Sequence, residues 1–330
     1  MAQRTRNDKW HLIGLITAGA AFILVVVAVT LNFTTIKDFV VGMRYKPTPE
    51  MEKIRESLDL TGEGLIVFNA SLPELMERNE FNQNCREVEN ETAILGCYRD
   101  DKIYIYNITD EELSGVKELT AAHELLHGIY KRMGDGDRRK WAEILTKVYN
   151  DNKSVLAEEI ELYPEEQKQE ELYVRAGTEI KNLPDELEEH YAGIFKNQDK
   201  VVGFYESYIA VFREIEKKLK DLLNKTSELS VEISNKTKEY EERANTLNTR
   251  ISEFNECAKT LDCFSSAYEF NQRRNELTTE QSALEQLYNE INSTVNQYNA
   301  YVAEYNENVL HGQVLNQAIN SSEKVEAVKD

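Results

Sequence analysis

Three patterns of apolar spacing divide the chain. From Leu12 to Leu31 there is no charged residue, and Leu, Ile, Val and Ala dominate. A helix of about 20 such residues spans about 30 Å, the hydrocarbon thickness of a bilayer. Arg4, Arg6 and Lys9 precede it, and Trp10 sits where interfacial aromatics collect. The exit Ala28-Val29-Thr30 is a poor cleavage site, so an uncleaved transmembrane helix over 12–31 is expected rather than a removed signal peptide. The basic residues before the span lie closer to it than Lys37, Arg44 and Lys46 behind it. The expected localisation is therefore a single-pass membrane protein with a cytoplasmic tail at 1–11 and its bulk extracytoplasmic.

After a juxtamembrane linker (32–50), residues 51–200 show short mixed periods. Met51 to Leu60 reads as a helix, and Leu65-Ile66-Val67-Phe68, between Gly64 and Asn69, as a strand. Ala93 to Tyr98 and Lys102 to Tyr106 flank Arg99-Asp100-Asp101 as a hairpin. Thr109-Asp110 supplies an N-cap for helical sequence running to about Met133. Further helices are expected over about 138–151, 154–161 and 164–176.

The third pattern is a heptad. Ile215, Leu219, Leu222, Thr226, Leu229 and Ile233 alternate steps of four and three, and the register resumes through Thr237, Tyr240, Ala244, Leu247, Ile251 and Phe254. A second run passes through Leu277, Gln281, Leu284, Tyr288, Ile291, Val295, Tyr298, Val302, Tyr305 and Val309. The heptad lapses between Cys257 and Ser266. An antiparallel coiled-coil hairpin over 201–315 with its tip near 257–267 is expected, in preference to one continuous helix dimerising in parallel. Residues 316–330 read as a flexible tail.

Composition narrows the function. A net charge of −20 argues against nucleic acid as a partner. The four cysteines fall into two short-range pairs, Cys85 with Cys97 and Cys257 with Cys263, which suits disulfides in an oxidising compartment. There is no phosphate loop, GxSxG elbow or dinucleotide fingerprint.

With five histidines in the chain, one pair stands out: His123-Glu124-Leu125-Leu126-His127 is an HExxH motif. On a helix, positions i and i+4 share a face, so both imidazoles can reach one Zn2+ ion. Glu124 lies beside that face, where it can take a proton from water activated by the metal. Leu125 and Leu126 turn toward the core.

The strand, the HELLH helix and the acidic helix after it resemble the zincin metallopeptidases of the gluzincin branch, over roughly residues 60–200. The metzincin branch is excluded, because Tyr130 and Met133 stand where it carries Gly and a third His. The resemblance implies an α+β zincin-like domain within a mostly α chain, with a later Glu as third zinc ligand. Glu171 is the first choice, then Glu179, then Glu170. The Asp usual four residues after that Glu is Arg175 here. The resemblance also implies an oxyanion donor beyond the third ligand, for which His190 and Tyr191 are the candidates. It places Tyr104 and Tyr106 on an edge strand that pairs with extended substrate. Two functions follow. One is a membrane-anchored zinc endopeptidase acting on a peptide or protein substrate. The other is a membrane-anchored coiled-coil scaffold of the cell envelope with an inactive zincin-like domain. In either, the coiled coil is a candidate surface for a protein partner or self-association.

Overall fold

A computed structural model describes residue 30 and residues 33–85, 94–260 and 263–320. The chain is mostly helical with one small three-stranded sheet. It forms two compact units, residues 1–211 with 315–330, and residues 212–314.

The first unit opens with α1 (Phe33–Gly42), inside the stretch expected to be a linker. Asp38 of this helix is buried and accepts hydrogen bonds from Arg132 at 2.7 and 3.2 Å. Helix α2 (Pro49–Leu58) starts as its sequence requires, with Thr48 accepting from the Met51 amide and Pro49 at the first helical position. The segment 65–68, expected as a strand, belongs instead to helix α3 (Gly62–Ala70). A four-residue apolar run carries no period that separates strand from helix. The decisive signal is Thr61, which caps the helix by accepting from the Gly64 amide. Gly64 has no substitute there: a Cβ would lie 2.4 Å from the Ile194 carbonyl oxygen.

The sheet has strand order β1-β3-β2. It contains β1 (Glu74–Met76), β2 (Gly96–Arg99) and β3 (Lys102–Tyr106), with α4 (Arg78–Cys85) following β1. The expected hairpin forms between β2 and β3, pairing Tyr98 with Ile103, and Asp100 and Asp101 adopt positive φ in its turn. The expected start at Ala93 lies outside the described residues. The three-residue β1 pairs parallel to β3 and makes β3 the central strand. Tyr104 and Tyr106 are therefore buried in the middle of the sheet. Their expected role on an edge strand is corrected. The edges are β1 and β2, the latter fastened to α4 by the Cys85–Cys97 disulfide.

Beyond a short 3-10 turn capped by Asp110, α5 (Val116–Arg132) lies across the sheet. Helices α6 (Asp135–Asp151), α7 (Lys153–Ile160), α8 (Glu165–Glu179) and α9 (Asp185–Ala192) follow. Leu125, Leu126, Tyr173, Leu187 and Tyr191 are fully buried together in one core. Each aliphatic side chain buried this way contributes about 1.5–3 kcal/mol.

The second unit is built from α10 (Gln198–Ala258) and α11 (Ala267–Ile319), of 61 and 53 residues, the first of which begins in the first unit. Ion pairs join Lys218 to Glu304, Lys236 to Glu290, Arg243 to Glu280 and Arg250 to Glu276, so the helices run antiparallel. Exposed pairs of this kind are worth about 0–1 kcal/mol each. The stronger term is the apolar seam, in which Leu222, Leu247, Leu284 and Leu287 are buried. Leu287 and Thr294 face inward in place of the expected Tyr288 and Val295. Leucine takes the dry position and Tyr288 stays half exposed, its ring 6.0 Å from Tyr240. Cys257 and Cys263 form the expected disulfide, Leu261 and Asp262 between them lying outside the described residues. Ser266 and Glu269 cap α11 reciprocally: the Ser266 hydroxyl accepts from the Glu269 amide, and the Glu269 carboxylate accepts from the Ser265 amide. Residues 316–319, expected to begin the tail, are helical, and 321–330 lie outside the described residues.

The expected localisation is also corrected. Among the described residues no helix is long and apolar enough to cross a membrane. The span expected at 12–31 lies outside them, apart from Thr30. Two disulfides fit an oxidising environment.

Candidate metal centre

Helix α5 carries the HExxH motif in its middle, where both histidines project from one face and Leu125 and Leu126 from the other. Helix α8 packs along that face and brings up Glu171, only 2 % exposed. His123 Nε2 lies 3.6 Å from Glu171 Oε1, and His127 Nε2 lies 3.4 Å from Glu171 Oε2. One donor atom from each of the three residues lies within 4.8 Å of the others, and among the described residues this is the group able to hold a metal ion.

Neighbouring side chains orient these donors. His127 Nδ1 is 2.8 Å from Glu170 Oε1, so its N–H donates to that carboxylate and Nε2 is turned toward Glu171. Among the described residues the buried Nε2 has no hydrogen-bond partner. A buried imidazole nitrogen left so, beside a second imidazole and a buried carboxylate, fits a metal ligand. Glu170, the third choice for ligand, is thus the hydrogen-bond partner of His127. On the far side, Arg175 donates to Glu171 Oε1 at 2.6 Å, to Glu179 Oε1 at 2.9 Å and to Glu159 Oε2 at 3.4 Å. Glu179, the second choice for ligand, is a partner of Arg175. The spacing of Glu171, Arg175 and Glu179, four residues apart on one helix, carries this network in the sequence.

The two histidines face the same carboxylate yet titrate in opposite directions. Burial pulls His123 down to about 3, and the Glu171 charge recovers only part of that. Burial also opposes a charge on His127, but Glu170 and Glu171 outweigh it and raise that histidine well above its usual value. Glu171 has a burial cost of its own, and the charges of His123, His127 and Arg175 more than offset it, holding its carboxyl below the usual range.

Glu124 is buried beside the pair at 2 % exposure. It fits because β2 comes unusually close. A Cβ on Gly96 would fall 2.8 Å from Glu124 Oε1 and 2.5 Å from Thr120 Cγ2, and a Cβ on Gly128 would fall 2.8 Å from the Tyr98 ring. One glycine on the strand and one on the helix let the edge of the sheet lie against the motif.

No known protein family, curated protein or solved structure matches this chain. What the chain itself presents is a His–His–Glu group able to bind a metal ion.

The two residues expected to steady an oxyanion make other contacts. Tyr191 is fully buried and donates its hydroxyl to the Tyr173 carbonyl at 2.6 Å. His190 Nε2 lies 2.8 Å from the Tyr173 hydroxyl, with Trp141 packed 4.6 Å from its ring. Burial and then the charge of Lys140 lower the His190 pKa to about 4, with Asp137 acting weakly the other way. The neutral ring accepts from Tyr173. An unfolded histidine titrates near about 6.5, so between that value and about 4 the unfolded chain holds a proton that the folded chain does not. Stability from this contact is full above that window and is lost as pH falls through it. The urea midpoint of the parent protein is expected to drop more steeply between pH ~6.5 and ~4 than that of His190→Gln; parallel curves would refute the assignment.

Proposed function

We propose that the chain is a zinc-dependent endopeptidase of the gluzincin kind, with His123, His127 and Glu171 as the zinc ligands and Glu124 as general base. The observation that carries this reading is the convergence of two imidazole Nε2 atoms on a buried glutamate from a second helix, with a further buried carboxylate beside them. Three ligands of the His–His–Glu type suit zinc and leave a position open for chemistry. When bound, zinc acts as a Lewis acid on the scissile carbonyl and lowers the pKa of water.

The chain's own residues supply the rest. Glu124 takes the proton of the attacking water on a carboxylate oxygen and hands it to the leaving amine. Glu170 holds the His127 ring, and Arg175 holds the Glu171 carboxylate. The β2 edge replaces β3 as the strand along which an extended peptide pairs, because its Gly96 brings the backbone against Glu124.

A non-enzymatic scaffold is the second reading, favoured by the length of the two antiparallel helices. The full chain purified without added metal is expected to carry about one zinc per chain, measured by atomic emission, and His123→Ala to abolish it. A folded protein that stays metal-free after zinc is offered would overturn the peptidase and leave the scaffold.

A further inference from the structure

A pocket of about 180 Å3 opens beside the metal centre, lined by His127, Glu170, Glu171, Tyr98, Tyr163, Gln167 and Lys131. Its charges are not equivalent. Glu170 is engaged by His127 Nδ1, and Glu171 by Arg175 and the histidines. Lys131 is different. It stands one helical turn after His127 on the same face of α5, and it is exposed. Among the described residues no carboxylate pairs with it: its Nζ lies 3.4 Å from the Tyr98 carbonyl oxygen and 4.7 Å from the centre of the Tyr98 ring. In a chain of net charge −20, a lysine left without an acid beside a catalytic pocket is out of keeping with its surroundings. Holding it over an aromatic face fixes the ammonium at the pocket wall without neutralising it.

We infer that this pocket selects substrates carrying a carboxylate next to the scissile bond, with Lys131 as the specificity residue. The inference rests on the peptidase reading and adds the substrate class to it. The volume admits one residue's worth of substrate. Tyr98 and Tyr163 supply apolar walls, the Gln167 amide can donate to an oxygen, and Lys131 provides the charge. Both a free C-terminal carboxylate and an acidic side chain present this chemistry. Lysine at such a site binds as a point charge with rotatable donors, so it accepts either.

The test is binding of three blocked-N-terminus tetrapeptides to the full zinc-loaded chain carrying Glu124→Gln, by calorimetry. One peptide ends in a free carboxylate, one has an amidated end and an internal Glu, and one has an amidated end and Gln in place of that Glu. At least one of the first two is expected to bind about tenfold tighter than the third, and which one does identifies the source of the carboxylate. Lys131→Met on this background should erase the difference while leaving the neutral peptide's binding unchanged, and Lys131→Arg should restore it. Equal binding of all three, no binding of any, or a preference that survives Lys131→Met would overturn the inference. Cleavage of the same peptides by the chain with Glu124 intact separates the two ideas. Cleavage without carboxylate preference defeats the pocket assignment alone. Carboxylate-dependent binding without any cleavage defeats the peptidase alone.

Discussion

Glu124→Gln is expected to keep about one zinc per chain and to lower peptide hydrolysis by about 10²–10⁴-fold, the range general-base catalysis supplies. The reasoning is steric and electrostatic. Glu124 is buried close to Gly96, and glutamine has nearly the same shape, so the helix, His123 and His127 keep their places. The amide cannot take a proton from water, so the loss falls on the chemical step. Metal analysis and hydrolysis of an unbiased peptide mixture, run on the same preparation, check both halves. Undiminished hydrolysis in this variant would remove Glu124 from the mechanism. Loss of zinc would instead make it part of the metal's support.

The second large effect is on the fold. Arg175→Met is expected to destabilise the metal-free protein by about 3–5 kcal/mol, the cost of leaving a buried ion pair with one partner removed. Arg175 is 8 % exposed and sits between Glu171 and Glu179, whose side chains are 2 and 6 % exposed. Without the guanidinium, two carboxylates share a buried space with no cation between them. Methionine fills much of the volume, so the change reports charge rather than a cavity. Zinc affinity should fall about 10–100-fold as well, because Glu171 loses the bond that orients it. Urea unfolding in the presence of a chelator measures the first effect and competition with a zinc indicator the second. A change in stability under about 1 kcal/mol would show that the network is not what holds Glu171.

Local chemistry is legible in the amino-acid sequence. The HExxH spacing, the Asp110 cap, the tight turn between Tyr98 and Ile103 and the Ser266–Glu269 cap are all encoded within a few residues. As a candidate ligand Glu171 is legible only through resemblance, since acidic residues crowd its helix and its spacing to Arg175 and Glu179 marks an ion-pair network rather than a ligand. Direction separates it from Glu170 in the fold: Glu171 faces both Nε2 atoms, Glu170 faces Nδ1 of His127. The difference at 65–68 arises from a short apolar run that suits either state, with the Thr61 cap as the signal that decides for helix. The central position of β3 is out of reach of sequence reasoning. It depends on β1, three residues that pair with partners thirty positions away, and no periodicity fits in three residues. Lys131 carries no signal at all, because its meaning lies in the acids that fail to reach it.

The long helical excursion leaves the first unit after Val211 and rejoins it at Leu315, where Arg78 donates to the Gln317 carbonyl at 3.1 Å. An excursion whose two ends return to one body is free to vary in length over evolutionary time. The antiparallel pairing imposes one rule on that drift: residues lost from the outgoing helix must be matched by an equal loss from the returning one, in whole seam repeats, or the ion pairs from Lys218–Glu304 to Arg250–Glu276 fall out of step. The first unit can thus stay unchanged while the second is resized.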